Sequence, residues 1–129
     1  MDEIDKYVNE SFSSSYMNNT KWLKLFDSLF DTLDEFYVEY KLVSNKKINT
    51  ATFYCSDMPP FFIEPVFYKE VEWICFPAQY VLTVNKRKSR KYKKEFSQDI
   101  GLIELLIKSI GEFELEIDNF QIKLFAYRK

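Results

Sequence analysis

The sequence predicts an α+β domain: a mostly antiparallel, twisted sheet, two main helices packed on it and a β-hairpin at the C-terminus. Three observations carry this. Trp73-Ile74-Cys75-Phe76 is apolar on both faces of an extended segment, so it needs cover on both sides and belongs at the centre of a sheet. Residues 20–33 and 98–110 each show apolar side chains at helical spacing. The two helices stand apart rather than alternating with strands, which disfavours a doubly wound parallel sheet.

A chain of 129 residues makes one domain with a real core. With 47% apolar residues, 19% aromatics and only two glycines, it should be ordered. Residues 1–16 are expected to be an N-terminal appendage, a short helix carrying Ile4, Tyr7, Val8 and Phe12, and residues 17–129 the domain itself. Four serines around Phe12 make the joint. Asn18 or Asn19 then caps a helix whose buried stripe is Trp22, Phe26, Leu29, Phe30 and Leu33.

From Phe36 the apolar period becomes two. Val38, Tyr40 and Leu42 share one strand face, and Ala51, Phe53 and Cys55 share a face of the next. Residues 56–65, with Pro59, Pro60 and Pro65, form an irregular loop. Residues 66–69 and 70–76 read as one bent strand with Val71, Trp73 and Cys75 on one face. Pro77 closes it, because it has no ladder donor. Residues 79–84 are expected to add another strand, and the basic segment after them reads as an exposed loop or helix entrance. Ser97 is expected to cap the 98–110 helix, which Leu102 and Leu105 mark as deeply packed, and Gly111 to supply a left-handed cap. In the terminal hairpin a two-residue Asp118-Asn119 turn would pair Ile117 with Phe120, Leu115 with Ile122 and Phe113 with Leu124.

Charge is unevenly placed. Formal net charge is −2, but residues 86–94 carry seven basic groups and no acid, so the rest of the chain stands at −9. There is no histidine, which removes the commonest general base and most zinc sites. Two glycines cannot build a Gly-rich phosphate loop. No enzyme activity, metal or cofactor is expected. No apolar run approaches the ~20 residues of a membrane span, and Cys55 and Cys75 are expected as reduced thiols in a cytoplasm.

Three groups of residues are candidates for binding. Asp27, Asp31, Asp34 and Glu35 crowd the end of the first main helix, against its dipole, which suggests an acidic face kept for a cationic partner; compensation by Lys41, Lys46 and Lys47 is the plainer alternative. Phe61 and Phe62 are possible aromatic anchors, or simply plug one end of the sheet. Lys86, Arg87, Lys88, Arg90 and Lys91 would serve a nucleic-acid site, or be a solvated loop. Nucleic acid is the less favoured partner, since an acidic body repels phosphates over about 8 Å at physiological salt.

Met17-Asn18-Asn19-Thr20-Lys21-Trp22, Val71-Glu72-Trp73 and the strand over 120–127 together resemble a family of small uncharacterised bacterial proteins. The resemblance covers residues 17–127 and implies a small antiparallel-sheet domain of cytoplasmic type. Proteins of this size, acidity and aromatic content are similar to immunity proteins of bacterial toxin–immunity systems, including contact-dependent inhibition. What this implies is a non-catalytic inhibitor that binds the C-terminal domain of a cognate toxin, often a nuclease, one to one. The alternative reading is a nucleic-acid-binding accessory that uses the basic run.

Overall fold

Ile74 and Phe76 are shut off from water, and Trp73 and Cys75 on the opposite side of the same strand are 9% and 4% exposed. In the computed structural model, which describes residues 3–54, 68–86 and 90–128, that strand takes the middle of the sheet. The elements run α1 (Glu3–Ser11), β1 (Ser14–Ser15), α2 (Asn19–Thr32), β2 (Glu35–Leu42), β3 (Ile48–Tyr54), β4 (Val71–Pro77), β5 (Gln79–Lys86), β6 (Arg90–Ser97), α3 (Ile100–Ile110), β7 (Glu114–Ile117), β8 (Gln121–Phe125) and β9 (Tyr127–Arg128). Five strands pair in the order β3-β2-β4-β8-β7, every neighbour antiparallel.

Both main helices cover one face. Trp22, Leu25, Phe26 and Leu29 of α2 and Ile103 and Ile107 of α3 join Phe36, Val38, Ile74, Phe76, Ile122 and Leu124 in one core. Each such side chain stabilises the fold by about 1.5–3 kcal/mol when fully buried. Asn18 caps α2 through its side chain, which accepts from the Lys21 amide at 2.8 Å. Extended backbone at Leu33 ends the helix.

Several local expectations are corrected, each for a physical reason. Val71 does not share a face with Trp73 and Cys75. Lys41 pairs with Trp73 but Leu42 with Val71, so a bulge at Glu72 turns Val71 into the helix-covered core. Residues 68–70 form a 3-10 turn instead of continuing the strand, and Val66 lies outside the described residues. The helix after the basic run is capped by Asp99, whose Oδ1 accepts from the Leu102 amide at 3.0 Å; Ser97 is still in strand β6. Gly111, at φ 163°, is extended rather than left-handed. Leu102 is only partly buried and Leu105 is 67% exposed, so α3 buries a narrower stripe than its apolar residues suggest.

The terminal hairpin forms, but its register is slipped by two: Ile117 faces Ile122, Leu115 faces Leu124 and Glu116 faces Lys123. A slip of two leaves every side chain on its predicted face. It is fixed by Asp118, whose Oδ1 accepts from the amides of Phe120 and Gln121 at 2.7 and 2.9 Å. That Asx turn lengthens the loop to four residues and leaves Phe120 out of the ladder.

The basic segment is not a loop or a helix entrance where it is described. Arg90–Ser97 pairs along its whole length with Gln79–Lys86, as a separate two-stranded ribbon. The N-terminal segment is tied to the C-terminus: Ser14 and Ser15 pair with Arg128 and Tyr127, the Tyr16 amide donates to Ala126 O at 2.8 Å, and Phe12 lies 5.5 Å from the Tyr127 ring.

Candidate functional site

One end of the sheet gathers most of the groups of interest. Glu39 pairs with Cys75, and Pro77 with Gln121, so the start of β2, the end of β4 and the start of β8 lie together. With strands about 4.8 Å apart, β2 and β8 are about 10 Å from each other there. The end of α2 feeds directly into β2 at the same rim, and β5 leaves from it.

A side-chain amide binds this rim together. Cys75 directs its backbone groups at β2, so by alternation Pro77 would do the same, but it has no N–H to give. Gln98 fills the gap. Its Oε1 accepts from the Tyr37 amide at 3.0 Å, and its Nε2 donates to Tyr37 O at 2.9 Å and Pro77 O at 2.7 Å. The Gln98 amide donates to Ala78 O, and the Ala78 amide donates to Phe120 O. Tyr37, Gln98, Pro77, Ala78 and Phe120 are therefore one hydrogen-bonded chain across β2, β4 and the hairpin loop.

On this rim stand the four predicted acids. Asp27, Asp31, Asp34 and Glu35 are all exposed, Asp27 and Asp31 one helical turn apart on a single face of α2. Among the described residues none of the four has an ion-pair partner. The compensating lysines do not reach them: Lys41 is committed to Glu72 at 2.8 Å, and neither Lys46 nor Lys47 pairs with an acid among the described residues. The last turn of α2 holds no basic residue, so the acids add to the negative end of the helix dipole. Lys21, which also opposes that dipole, has a structural task. Its Nζ donates to Tyr16 O and Glu112 O and lies 5.3 Å from the Phe113 ring, clamping α2 to the connection between α3 and β7.

The ribbon of β5 and β6 starts from the same rim. Tyr80 stacks on Tyr37 at 4.2 Å between ring centres with the planes parallel, and Phe96 lies 5.5 Å from Tyr80. Farther out, Val81, Thr83 and every residue from Lys91 to Glu95 are exposed. Of the predicted nucleic-acid residues, Lys91 is on this ribbon with an exposed side chain, and Lys86 and Arg90 are a paired position on it. Arg87 and Lys88 lie outside the described residues, as do Phe61, Phe62 and Cys55.

Phe120 was missed by reading the sequence. It is 77% exposed, yet its N–H and C=O are both fixed, to Asp118 Oδ1 and Ala78 N. A backbone fixed on both sides under an exposed aromatic ring makes Phe120 a candidate for a binding anchor. The Asx signal of Asp118 was legible; its effect on the register was not.

The helix-free face of the sheet carries charged and aromatic side chains in rows. Lys123 Nζ lies 4.1 Å from the Trp73 ring centre, and Arg128 sits 4.0 Å over Phe125 while pairing with Glu116 at 3.2 Å. Cys75 lies in this face. Burial, and secondarily the negative charge of Glu39, push its thiol from the ordinary 9.0 up to about 12. Among the described residues, no three acidic or thiol side chains gather closely enough to hold a metal ion. One cleft, between α1 and the end of β2, has Tyr7 and Phe12 on its walls and the Lys41–Glu72 ion pair in it.

The fold and this rim define a small α+β domain with an acidic end and a basic ribbon. The chain belongs to a family of unknown function (DUF6678), which matches it over residues 4–127. No curated protein and no solved structure matches it. No described helix is long and apolar enough to cross a membrane.

The thiol gives a test of the helix-free face. Between pH 9.0 and about 12 the unfolded chain releases the Cys75 proton that the folded chain keeps, so stability falls as pH rises through that window. Tyr37, Tyr40 and Tyr127, all raised by burial, act with the same sign. In a Cys55→Ser background, the native protein should resist a thiol reagent at mildly alkaline pH and react once urea unfolds it. Fast reaction of the folded protein would show that Cys75 is not enclosed.

Proposed function

We propose that this protein is a non-catalytic immunity protein of the bacterial cytoplasm, which binds the C-terminal domain of a cognate toxin one to one and blocks it. One observation carries the reading: four exposed acids at the negative end of α2, none with an ion-pair partner among the described residues. Such a surface suits a basic domain, and a nuclease, which must hold a phosphate backbone, is basic where it acts. Complementary charge speeds encounter and selects the partner, while desolvated aromatics hold the complex. Phe120 is the exposed anchor on the same rim, and Phe61 and Phe62 are proposed as further anchors. The absence of histidine from the whole chain supports inhibition by binding over chemistry.

The test uses the toxin domain encoded beside the gene. Replacing Asp27, Asp31, Asp34 and Glu35 by Lys should leave the fold intact, since all four are exposed. Association at low salt should slow by about tenfold or more, and protection in a growth assay should weaken. Equal protection by the variant would remove the acidic end of α2 from the interface, and a neighbouring toxin domain that does not bind at all would end the immunity reading.

A second reading, a nucleic-acid-binding accessory, is favoured by the shape of the basic segment. A two-stranded ribbon fits the major groove of duplex DNA, and Lys91, Lys93 and Lys94 are exposed on β6. Replacing Lys86, Arg87, Lys88, Arg90 and Lys91 by Gln should abolish retention on DNA and flatten its salt slope. Failure of the unmodified protein to bind DNA or RNA at low salt would exclude it.

A further inference from the structure

The ribbon presents a physical problem that the immunity reading leaves open. β5 and β6 pair over eight positions, from Gln79 with Ser97 to Lys86 with Arg90, which gives an arm of about 26 Å at 3.3 Å per residue. Among the described residues its base is covered, by Tyr37 against Tyr80 and by Tyr80 against Phe96. Beyond that, Val81 is 51% exposed, and Lys91, Tyr92, Lys93, Lys94 and Glu95 are exposed in succession, so both faces of β6 meet water. Among the described residues no third strand pairs with either edge. A two-stranded hairpin with one strand exposed along five successive residues is marginal in water and gains from a surface to lie on.

Charge identifies that surface. The arm is cationic, and outside residues 86–94 the chain stands at −9. Its exposed acids on α2 and at the start of β2 have no ion-pair partner among the described residues, and Lys91, Lys93 and Lys94 do not fold back onto them. Arm and acids nevertheless share one end of the sheet, because β5 starts beside Tyr37 and the acids lead into β2.

We propose that the chain forms a two-fold dimer in which the β5–β6 arm of each copy lies across the acidic end of α2 of the other. A two-fold axis near that rim makes the contact reciprocal: Lys91, Lys93 and Lys94 of one copy face Asp27, Asp31, Asp34 and Glu35 of the second, and the reverse. Such an interface is closed, so it stops at two copies instead of growing into a filament. A second copy fits the arm better than nucleic acid does, because it offers acids that have no ion-pair partner among the described residues, whereas a phosphate backbone would meet the negative body. This dimer does not depend on the immunity reading; a basic toxin domain would compete with the arm for the same acids.

Sedimentation velocity of the full chain tests it. The protein should run as a dimer at low salt and shift to monomer at high salt, since exposed charges are screened. An arm variant with Lys91, Lys93 and Lys94 replaced by Glu should be monomeric at low salt. So should an α2 variant with Asp27, Asp31, Asp34 and Glu35 replaced by Lys. An equimolar mixture of the two should recover a dimer, because the glutamates on one arm then meet the lysines on the α2 of the other copy, while the unaltered arm of that copy meets the unaltered acids of the first. A milder variant, with the three lysines replaced by Gln, should weaken the dimer without adding like-charge repulsion, and far-ultraviolet circular dichroism checks that each variant folds. A wild-type monomer at low salt, a dimer indifferent to both reversals, or a mixture that stays monomeric would each overturn the proposal. So would a wild-type monomer that duplex DNA retains, which would assign the arm to nucleic acid.

Discussion

The end of the molecule that carries its acids, its arm and its exposed aromatic depends on one side-chain amide. β4 must stop at Pro77, and Pro77 leaves the ladder between β2 and β4 one donor short. Gln98 inserts there with three hydrogen bonds, to both backbone groups of Tyr37 and to Pro77 O. An amide is the right group, since it offers a donor pair and an acceptor in one plane, as a peptide does. Net contributions of about 0.5–1.5 kcal/mol per hydrogen bond understate its role. Without it, the two strands would separate with backbone groups unpaired, at a cost of about 1–3 kcal/mol for each one left buried.

The placement of the two charged features follows from where Gln98 lies in the chain. It joins the ribbon to α3, so the same residue that closes the sheet also fixes the direction in which the ribbon departs. Its neighbour Asp99 starts α3, and its backbone contact with Ala78 continues to Phe120. The acids of α2 reach the rim from the other side, through the extended turn at Leu33. Two features of opposite charge are thus held on one rigid end by the core beneath it. Neither is neutralised within the chain among the described residues, and that is what makes an external partner, protein or second copy, the natural reading.

How much of this was legible depended on whether burial left a period in the sequence. The central strand was visible because Ile74 and Phe76 on one face and Trp73 and Cys75 on the other are all apolar, and α2 because Trp22, Phe26 and Leu29 fall on one stripe beside a capping Asn18. Of the ribbon only β5 was visible, as a strand over residues 79–84; in β6 every residue from Lys91 to Glu95 is exposed, so it has no apolar alternation and Lys91–Lys94 reads equally well as a loop. The bulge at Glu72 was hidden because period two assumes an unbroken ladder. The terminal hairpin could be predicted to the face but not to the register, since a shift of two conserves every face and only Asp118 decides it. Leu105 misled because an exposed leucine is indistinguishable from a buried one in sequence. The acids were legible as charges, yet their position beside the arm is a fact of topology, and Gln98 carries no sequence signal beyond a proline that must end a central strand.

The claim that one amide organises this end is tested most directly by amide hydrogen exchange in Gln98→Ala. In the parent, the Tyr37 N–H is held by Gln98 Oε1 and should exchange slowly, near the rates of neighbouring strand amides. In the variant, the Tyr37, Ala78 and Phe120 amides should exchange at least about tenfold faster, as expected for a local opening made easier by about 1.4 kcal/mol or more. The amides of Ile74 and Leu124 in the middle of the sheet should keep most of their protection. If Tyr37 stays as protected in Gln98→Ala as in the parent, the rim is held by something else and the account of this end is wrong.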